Sequence, residues 1–300
     1  MSTANQQLNA RSFQLEFKEL LQAVFGSESY FGDFFAGGIE ALDGVQNNEN
    51  AFYVKTSDIP VVIGNEYAKG ANVAFGTGTG NSTRFGERTE IIYIDTPVPY
   101  DWEWVFHEGI DKHTVNNNFD SAVADRLELQ ARAKTRTFNR KHSDFIAASA
   151  GKNIVLSGYS DAAVVALFDE LAAYFINIEA QGQKIAKVNT YLYNALVNSG
   201  LTVGEKGSSV NIDGNNLPLF KDFAIQAIPD QMFATTGGDT FASYAYIAHM
   251  GKAFTGINTA RTIESEDFDG LALQGAGKAG EFVLDDNKAA IVTVTAPVTP

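Results

Sequence analysis

Apolar positions along the chain change their spacing several times, and each change marks an element. Between Ala51 and Trp104 they come in short runs of β-branched and aromatic residues: Phe52 and Val54, then Val61, Val62 and Ile63, and later Ile91, Ile92, Tyr93 and Ile94. Such runs predict strands, and the two sets should pair with each other. Between them lies Asn65–Thr89, with Gly76, Gly78 and Gly80, which is long for a loop inside a compact domain; loops of that kind are functional or disordered.

From Asn118 the period becomes helical. Phe119, Val123, Leu127, Phe138 and Phe145 recur at helical steps without an intervening Gly or Pro, so the pattern predicts a helix from an Asn118 cap to about Ala148. Thirty residues at about 1.5 Å each give about 45 Å, long for a globular helix. Glu128 stands four residues before Arg132, and Arg132, Lys134, Arg136, Arg140 and Lys141 fill the C-terminal half, where the helix dipole favours cations. A second helix should begin after Ser160 and end near Gly182, with Val164, Phe168, Leu171, Phe175 and Ile178 as its core stripe. A strand at Lys184–Val188 and a helix at Thr190–Asn198, closed by Gly200, follow. The remainder reads mostly as strand: Val210–Ile212, a turn at Asp213-Gly214, then Leu217–Ala227, Ser243–His249, Gly280–Leu284 and Ala289–Thr295. The sum is a mixed α+β fold.

The first fifty residues fit neither period. They carry Phe13, Phe17, Phe25, Tyr30, Phe31, Phe34 and Phe35 in a segment broken by Gly26, Gly32, Gly37 and Gly38. Leu15–Leu21 could make a short helix, but the segment is too irregular to bury its aromatics against itself. It reads as an arm whose rings need a partner surface, on a neighbour or on its own domain.

Composition narrows the classes. With 45% hydrophobic and 19% charged residues over 300 positions, the chain can bury a core in one or two domains. No run reaches the roughly 18 to 20 apolar residues of a membrane span, and Met1–Arg11 lacks a signal-peptide apolar block, so a soluble, intracellular product is expected. The absence of cysteine removes disulfides and thiolate chemistry. A formal charge of -14 argues against a high-affinity nucleic-acid binder, although a mostly acidic container wall would suit cargo that must slide.

The motifs that suggest chemistry fail on spacing or context. His107 and His113 stand six apart, about 240° round a helix, and so do not share a face as the histidines of H-E-x-x-H do. Gly76, Gly78 and Gly80 lack the following helix of a dinucleotide site, and Gly275-Ala276-Gly277-Lys278 lacks the earlier glycine and the Ser or Thr of a P-loop; both predict flexible or tightly turned backbone. Asn211, Asp213 and Gly214 resemble part of a calcium loop whose twelfth position would be Phe220 instead of Glu, so a hairpin turn is expected. Glu264, Glu266, Asp267 and Asp269 form an acidic run that is either solvated, a divalent-ion site, or a partner for basic residues of another subunit such as the cationic half of the long helix. No nucleophile, base and orienting group can be assembled, and no cofactor or metal set is predicted, so the chain does not read as an enzyme.

The order of elements, together with ANVAFGTGTGNSTRFGERTEIIYIDTPVPYDWEW (Ala71–Trp104), HEGIDKHTVNNNFDSAVADRLELQARAKTR (His107–Arg136) and GKAFTGINTARTIESEDFDGLALQGAGKAGEFVLDDNKAAIV (Gly251–Val292), resembles the HK97-like major capsid proteins of tailed bacteriophages, specifically siphophages of Gram-positive bacteria. The resemblance implies an N-terminal arm (1–50), an E-loop with flanking strands that reaches across a neighbour (51–96), a P-domain with a spine helix (97–158), an axial A-domain (159–262) and a return to the P-domain (263–300). It implies self-assembly as hexamers and pentamers into an icosahedral shell around double-stranded DNA, which it contacts weakly and nonspecifically, with a portal protein as partner and the virion, built in the host cytoplasm, as location. The early strands leave no room for a large N-terminal scaffolding domain, so a separate scaffolding protein or none is expected. Phe13, Phe17, Phe31, Phe34, Lys69, Phe75, Arg84, Arg88, Arg132, Arg136, Glu264 and Asp267 are the candidate intersubunit contacts. Lys69 is the one lysine near the loop tip from which a covalent cross-link to a neighbour's asparagine could form, but no motif identifies that asparagine or an assisting acid, so noncovalent stabilisation is expected. Encapsulin-like shells share the implied fold, and they and other phage structural proteins are the competing readings.

Overall fold

The computed structural model describes residues 29–42, 49–57, 59–61, 63, 64, 67, 85, 89–115, 119–198, 219–236 and 239–296. The chain divides into two units, one of Met1–Asn47 with Tyr100–Pro300 and one of Asn48–Pro99.

The larger unit holds two sheets. The six-stranded sheet is built from β5 (Lys152–Val155), β6 (Lys184–Val188), β7 (Phe223–Ala227), β8 (Thr235–Thr236), β9 (Asp239–Ile247) and β12 (Ile291–Ala296), in the order β5-β12-β9-β6-β7 with β8 on β9. Both its faces are covered, which is why its strands are almost continuously apolar. Ala186 and Val188 of β6, Phe223 and Ile225 of β7 and Val292 and Val294 of β12 pack with the helices α2 (Asp161–Asn177) and α3 (Thr190–Asn198). Ile185, Tyr244, Tyr246 and Ile291 point the other way, into a second core with Phe31, Phe34, Phe35 and Ile146 of the long helix α1 (Phe119–Ala148). A bulge in β9, where Val294 pairs with Ser243 and Thr295 with Phe241, lets both Ala242 and Ala245 enter the first core, with α2 and α3.

The four-stranded sheet runs β1-β10-β11-β4, from β1 (Phe35–Ala41), β10 (Gly251–Glu264), β11 (Gly270–Phe282) and β4 (Trp102–Asp111). The chain crosses from one sheet to the other between Ile247 and Gly251. The short helix α4 (Asp285–Lys288) leads back to β12. In the smaller unit, β2 (Asn50–Thr56) pairs antiparallel with β3 (Ile94–Pro99).

The helices and β6 lie where the periodicity placed them, except that α2 ends at Asn177, short of the expected Gly182, with Ile178 as its C-cap and Glu179 turned to a positive φ of 54°. Ser160 caps α2, its hydroxyl accepting from the Ala163 N–H at 3.4 Å. Several expected strands are corrected. Val61, Ile63 and Ile91–Tyr93 are outside any strand, and β2 pairs with 94–99, a segment whose Pro97 and Pro99 are tolerated in a two-stranded ladder. The run expected at Leu217–Ala227 begins only at Phe223, because Lys221 and Asp222 take positive φ values of 47° and 73° and turn the chain back at Phe220. Gly280–Leu284 is not a separate strand, since β11 already runs from Gly270 to Phe282. The Gly275–Lys278 motif is neither flexible nor turned. It lies in mid-strand, where its glycines make room for rings: a β-carbon would sit 2.2 Å from Phe106 Cζ at Gly275 and 2.6 Å from Trp104 Cε2 at Gly277. The Gly76–Gly80 and Asn211–Gly214 motifs, the Asn118 cap, the Val210–Ile212 strand and Gly200 lie outside the described residues.

Candidate functional site

Phe31 and Phe34 are fully buried by their own chain, which corrects their assignment to a neighbour's surface. Phe34 packs edge-on against Phe35 and Tyr246, each at 5.0 Å between centroids, and fills the space over Gly251, where a β-carbon would lie 2.4 Å from Phe34 Cε1. Asp33 fixes this segment. Its carboxylate lies 2.7 Å from Lys187 Nζ and accepts the Tyr246 hydroxyl at 2.9 Å, and Lys187 also donates to Gln226 on the adjacent strand. Burial lowers the Lys187 pKa while the Asp33 charge opposes that, and burial with the same charge raises Tyr246 well above its usual range. Phe31, Phe34 and Phe35 are thus core, and the segment is held by an ion pair whose lysine is buried.

A second buried cluster ties α1 to the four-stranded sheet. His142 Nδ1 is 2.9 Å from Glu281 Oε1, and the Trp102 indole N–H donates to both Glu281 oxygens at 3.2 Å. The His142 and Glu281 side chains are each 3% exposed, and the Phe35 ring lies 4.5 Å from the imidazole. Nearer the N-terminus of α1, Arg126 and Gln130 both donate to Glu108 of β4, and the Arg126 hydrogen bonds hold the Glu108 carboxyl below its usual range. Neither cluster combines a nucleophile, a base and an open cavity.

Between them runs a groove of about 360 Å³ with Trp104 and Phe106 on one wall and Leu129, Ala133 and Lys134 on the other. The two rings stack with centroids 5.8 Å apart and 12° between planes. Lys134 Nζ lies 3.6 Å from the centre of the Trp104 ring, and burial pushes this amine down to about 8. Among the described residues β4 ends the sheet, with no further strand on its outer side.

Arg132 is exposed and paired with Glu128, one turn earlier, and Arg136 is exposed. Glu264 and Asp267 are exposed at the end of the β10–β11 hairpin. There Asp269 pairs with Lys112 at 3.1 Å, with His113 Nε2 at 3.5 Å from the same carboxylate. His107, on β4, faces Gln274 instead of His113. Among the described residues, no group of three or more metal-ligating side chains comes together. Phe13, Phe17, Lys69, Phe75, Arg84 and Arg88 lie outside the described residues.

Sequence reasoning missed the apolar surface of the smaller unit as a surface. Tyr53, Ile91, Ile92, Tyr93 and Ile94 are 56–66% exposed, and Tyr67 and Phe85 meet edge-on at 5.2 Å while Phe85 stays exposed. The signal was present in the unalternating run Ile91–Ile94, which has no polar face to offer water.

No protein-family model matches the chain, and no curated protein does. Solved structures do. The chain is similar to the capsid of the cyanophage P-SCSP1u, with a TM-score of 0.64 at 12% identity over 90% of this chain and 89% of that one. It is similar to the mature capsid of bacteriophage PhiM1, with a TM-score of 0.60 at 11% identity over 91% and 88%. A virus-like particle from Pyrococcus furiosus matches with a TM-score of 0.50 at 12% identity over 93% and 97%. The fold is therefore a mixed α+β capsid fold.

Proposed function

We propose that this chain is a major capsid protein of a tailed phage, self-assembling into an icosahedral shell around double-stranded DNA. The likeness to phage capsid chains over about nine-tenths of both partners carries the reading. The HK97-like resemblance read from the sequence supplies the parts: the Asn48–Pro99 unit as the E-loop, α1 as the spine helix, and the six-stranded sheet with α2 and α3 as the axial domain. The exposed apolar residues of the hairpin unit support an intersubunit role for it, because association would remove them from water at roughly 25 cal/mol per Å². Glu264 and Asp267, both exposed, remain the proposed intersubunit polar contacts. The full chain, expressed alone and with a co-expressed scaffolding protein, should give closed particles in negative-stain micrographs. A monomer that stays inert under every assembly condition would sink the proposal.

A compartment shell is the second reading, favoured by the match to the Pyrococcus furiosus particle, which covers nearly all of both chains. Particle contents separate the two: nuclease-protected double-stranded DNA supports the capsid, and a packaged protein cargo supports the compartment.

A further inference from the structure

Charge is distributed unevenly along α1. The chain as a whole carries -14, yet no Asp or Glu occurs between Leu129 and Ser143, where Arg132, Lys134, Arg136, Arg140 and Lys141 fall. The structure divides these five by direction. Lys134 lies over the Trp104 ring and Lys141 within 6.0 Å of the Trp102 ring, both toward the sheet. Arg132, Arg136 and Arg140 are exposed, and Arg136 and Arg140 have no ion-pair partner among the described residues. They follow one another at four-residue steps, which on a helix is one stripe with charges about 6 Å apart. Ala133 and Thr137, exposed beside the stripe, are small and leave it open to close approach by an extended polyanion.

We propose that this stripe of α1 binds the phosphate backbone of double-stranded DNA. The further consequence, that the exposed face of α1 lines the inside of the shell, rests on the capsid reading. A duplex presents a phosphate about every 3.4 Å along each strand, so charges about 6 Å apart can engage roughly every second phosphate of one strand. Phosphate contacts carry no sequence information, so binding through them should be independent of sequence. The acidic remainder of the chain keeps it weak, and beyond a Debye length of about 8 Å at physiological salt its repulsion is largely screened. Weak contact per subunit multiplied over many subunits suits a wall that must hold DNA without trapping it.

The test uses the full-length chain and a fluorescent mixed-sequence duplex of about 30 base pairs, read by anisotropy. Wild-type binding should weaken roughly 10- to 40-fold between 50 and 200 mM salt, as two or three neutralised phosphates require. Arg136→Gln with Arg140→Gln should lower affinity at 50 mM at least tenfold and flatten the salt slope by about 2, whereas Arg136→Lys with Arg140→Lys should keep most of the binding. Both positions are exposed, so unchanged melting curves will show that the variants fold. Equal binding by wild type and the glutamine variant, or no wild-type binding at 50 mM, overturns the inference. If the glutamine variant instead loses self-association in sedimentation without DNA, the stripe is a contact for an acidic surface of a second copy, and the inference is again overturned. A chain that binds DNA through these arginines but never closes into shells defeats the capsid reading and leaves the stripe standing.

Discussion

β6 and β3 have similar lengths and opposite fates. In β6 every residue from Ile185 to Val188 is buried, including a lysine; in β3 only Val98 is. The difference lies in what covers them. β6 sits in the middle of a sheet with α2 and α3 on one face and α1 with residues 29–35 on the other, so successive side chains enter two separate cores. Among the described residues β3 has one strand partner, and no helix of its unit covers it. Apolar content therefore marks two different things in this chain. In the six-stranded sheet it is the driving force for folding, already spent. In the Asn48–Pro99 unit it is surface still available to association, and a two-stranded ribbon of that kind is marginal by itself. Substitutions should divide accordingly into those that unfold the chain and those that leave it folded but unassembled.

The sharpest test of the closed region is its buried ion pair. Asp33→Ala leaves the Lys187 ammonium enclosed without its carboxylate, and should cost about 3–5 kcal/mol in urea unfolding. Lys187→Met removes the charge that is expensive to bury and leaves Asp33 the Tyr246 hydroxyl, so its cost should be smaller, about 1–3 kcal/mol. If Asp33→Ala unfolds at the wild-type urea concentration, residues 29–35 are not part of the core. Next in size is Gly275→Val, which drives a side chain into the Phe106 ring and should cost about 1–3 kcal/mol. Were the Gly275–Lys278 motif a flexible loop, the same substitution would change the urea midpoint hardly at all.

Legibility in the sequence follows the same division. Helices and β6 could be read because their apolar spacing is local: the α1 stripe, the Ser160 cap and the Lys184–Val188 run each declare themselves within a few residues. The four-stranded sheet could not. β10 and β11 consist largely of Gly, Ala and Thr, which carry little strand signal, and their bulk is supplied by Tyr100, Trp104 and Phe106, which fill the space over Gly256, Gly277 and Gly275 from positions more than 150 residues away in the chain. The arm was misjudged for a related reason. Seven aromatics in a broken segment announce a need for cover, but whether Phe34 is covered by its own Tyr246 or by a second copy is a question of tertiary geometry. The cationic half of α1 was visible as charge; its split into lysines over tryptophan rings and outward arginines depends on which way each residue faces β4.

The groove between β4 and α1 lies between these extremes, and pH probes it. The Lys134 amine has a folded-state value of about 8, below its ordinary 10.5, because burial disfavours the charged form. Below pH 8 folded and unfolded chains are both protonated here, and the folded chain bears the full cost of the half-buried charge. As pH rises from about 8 to 10.5 the folded chain releases the proton first, so stability should increase across that window, by on the order of 1 kcal/mol after allowance for solvent and for the Trp104 ring. Lys134→Met should lack that rise and match or exceed wild-type stability at pH 7. Parallel melting curves for the two proteins from pH 7 to 10.5 would show instead that the ammonium is fully hydrated and the groove is open water.

The smallest expected change in stability belongs to the open region, and there it is informative because it is small. Ile92→Asp with Tyr93→Asp removes two side chains that are 59% and 66% exposed and puts charge in their place. Since neither is in a strand and neither enters a core, the urea midpoint should stay within about 0.5 kcal/mol of wild type. Assembly should respond in the opposite sense. Fully burying an Ile or aromatic side chain contributes about 1.5–3 kcal/mol, and that contribution recurs at every copy in a closed shell, so losing it and burying two carboxylates in its place should abolish particles in sedimentation and negative stain. A variant that unfolds would assign Ile92 and Tyr93 to the fold after all. A variant that folds and still closes into shells would show that the hairpin's apolar face is ordinary exposed surface, and the contrast between β6 and β3 would then carry no functional meaning.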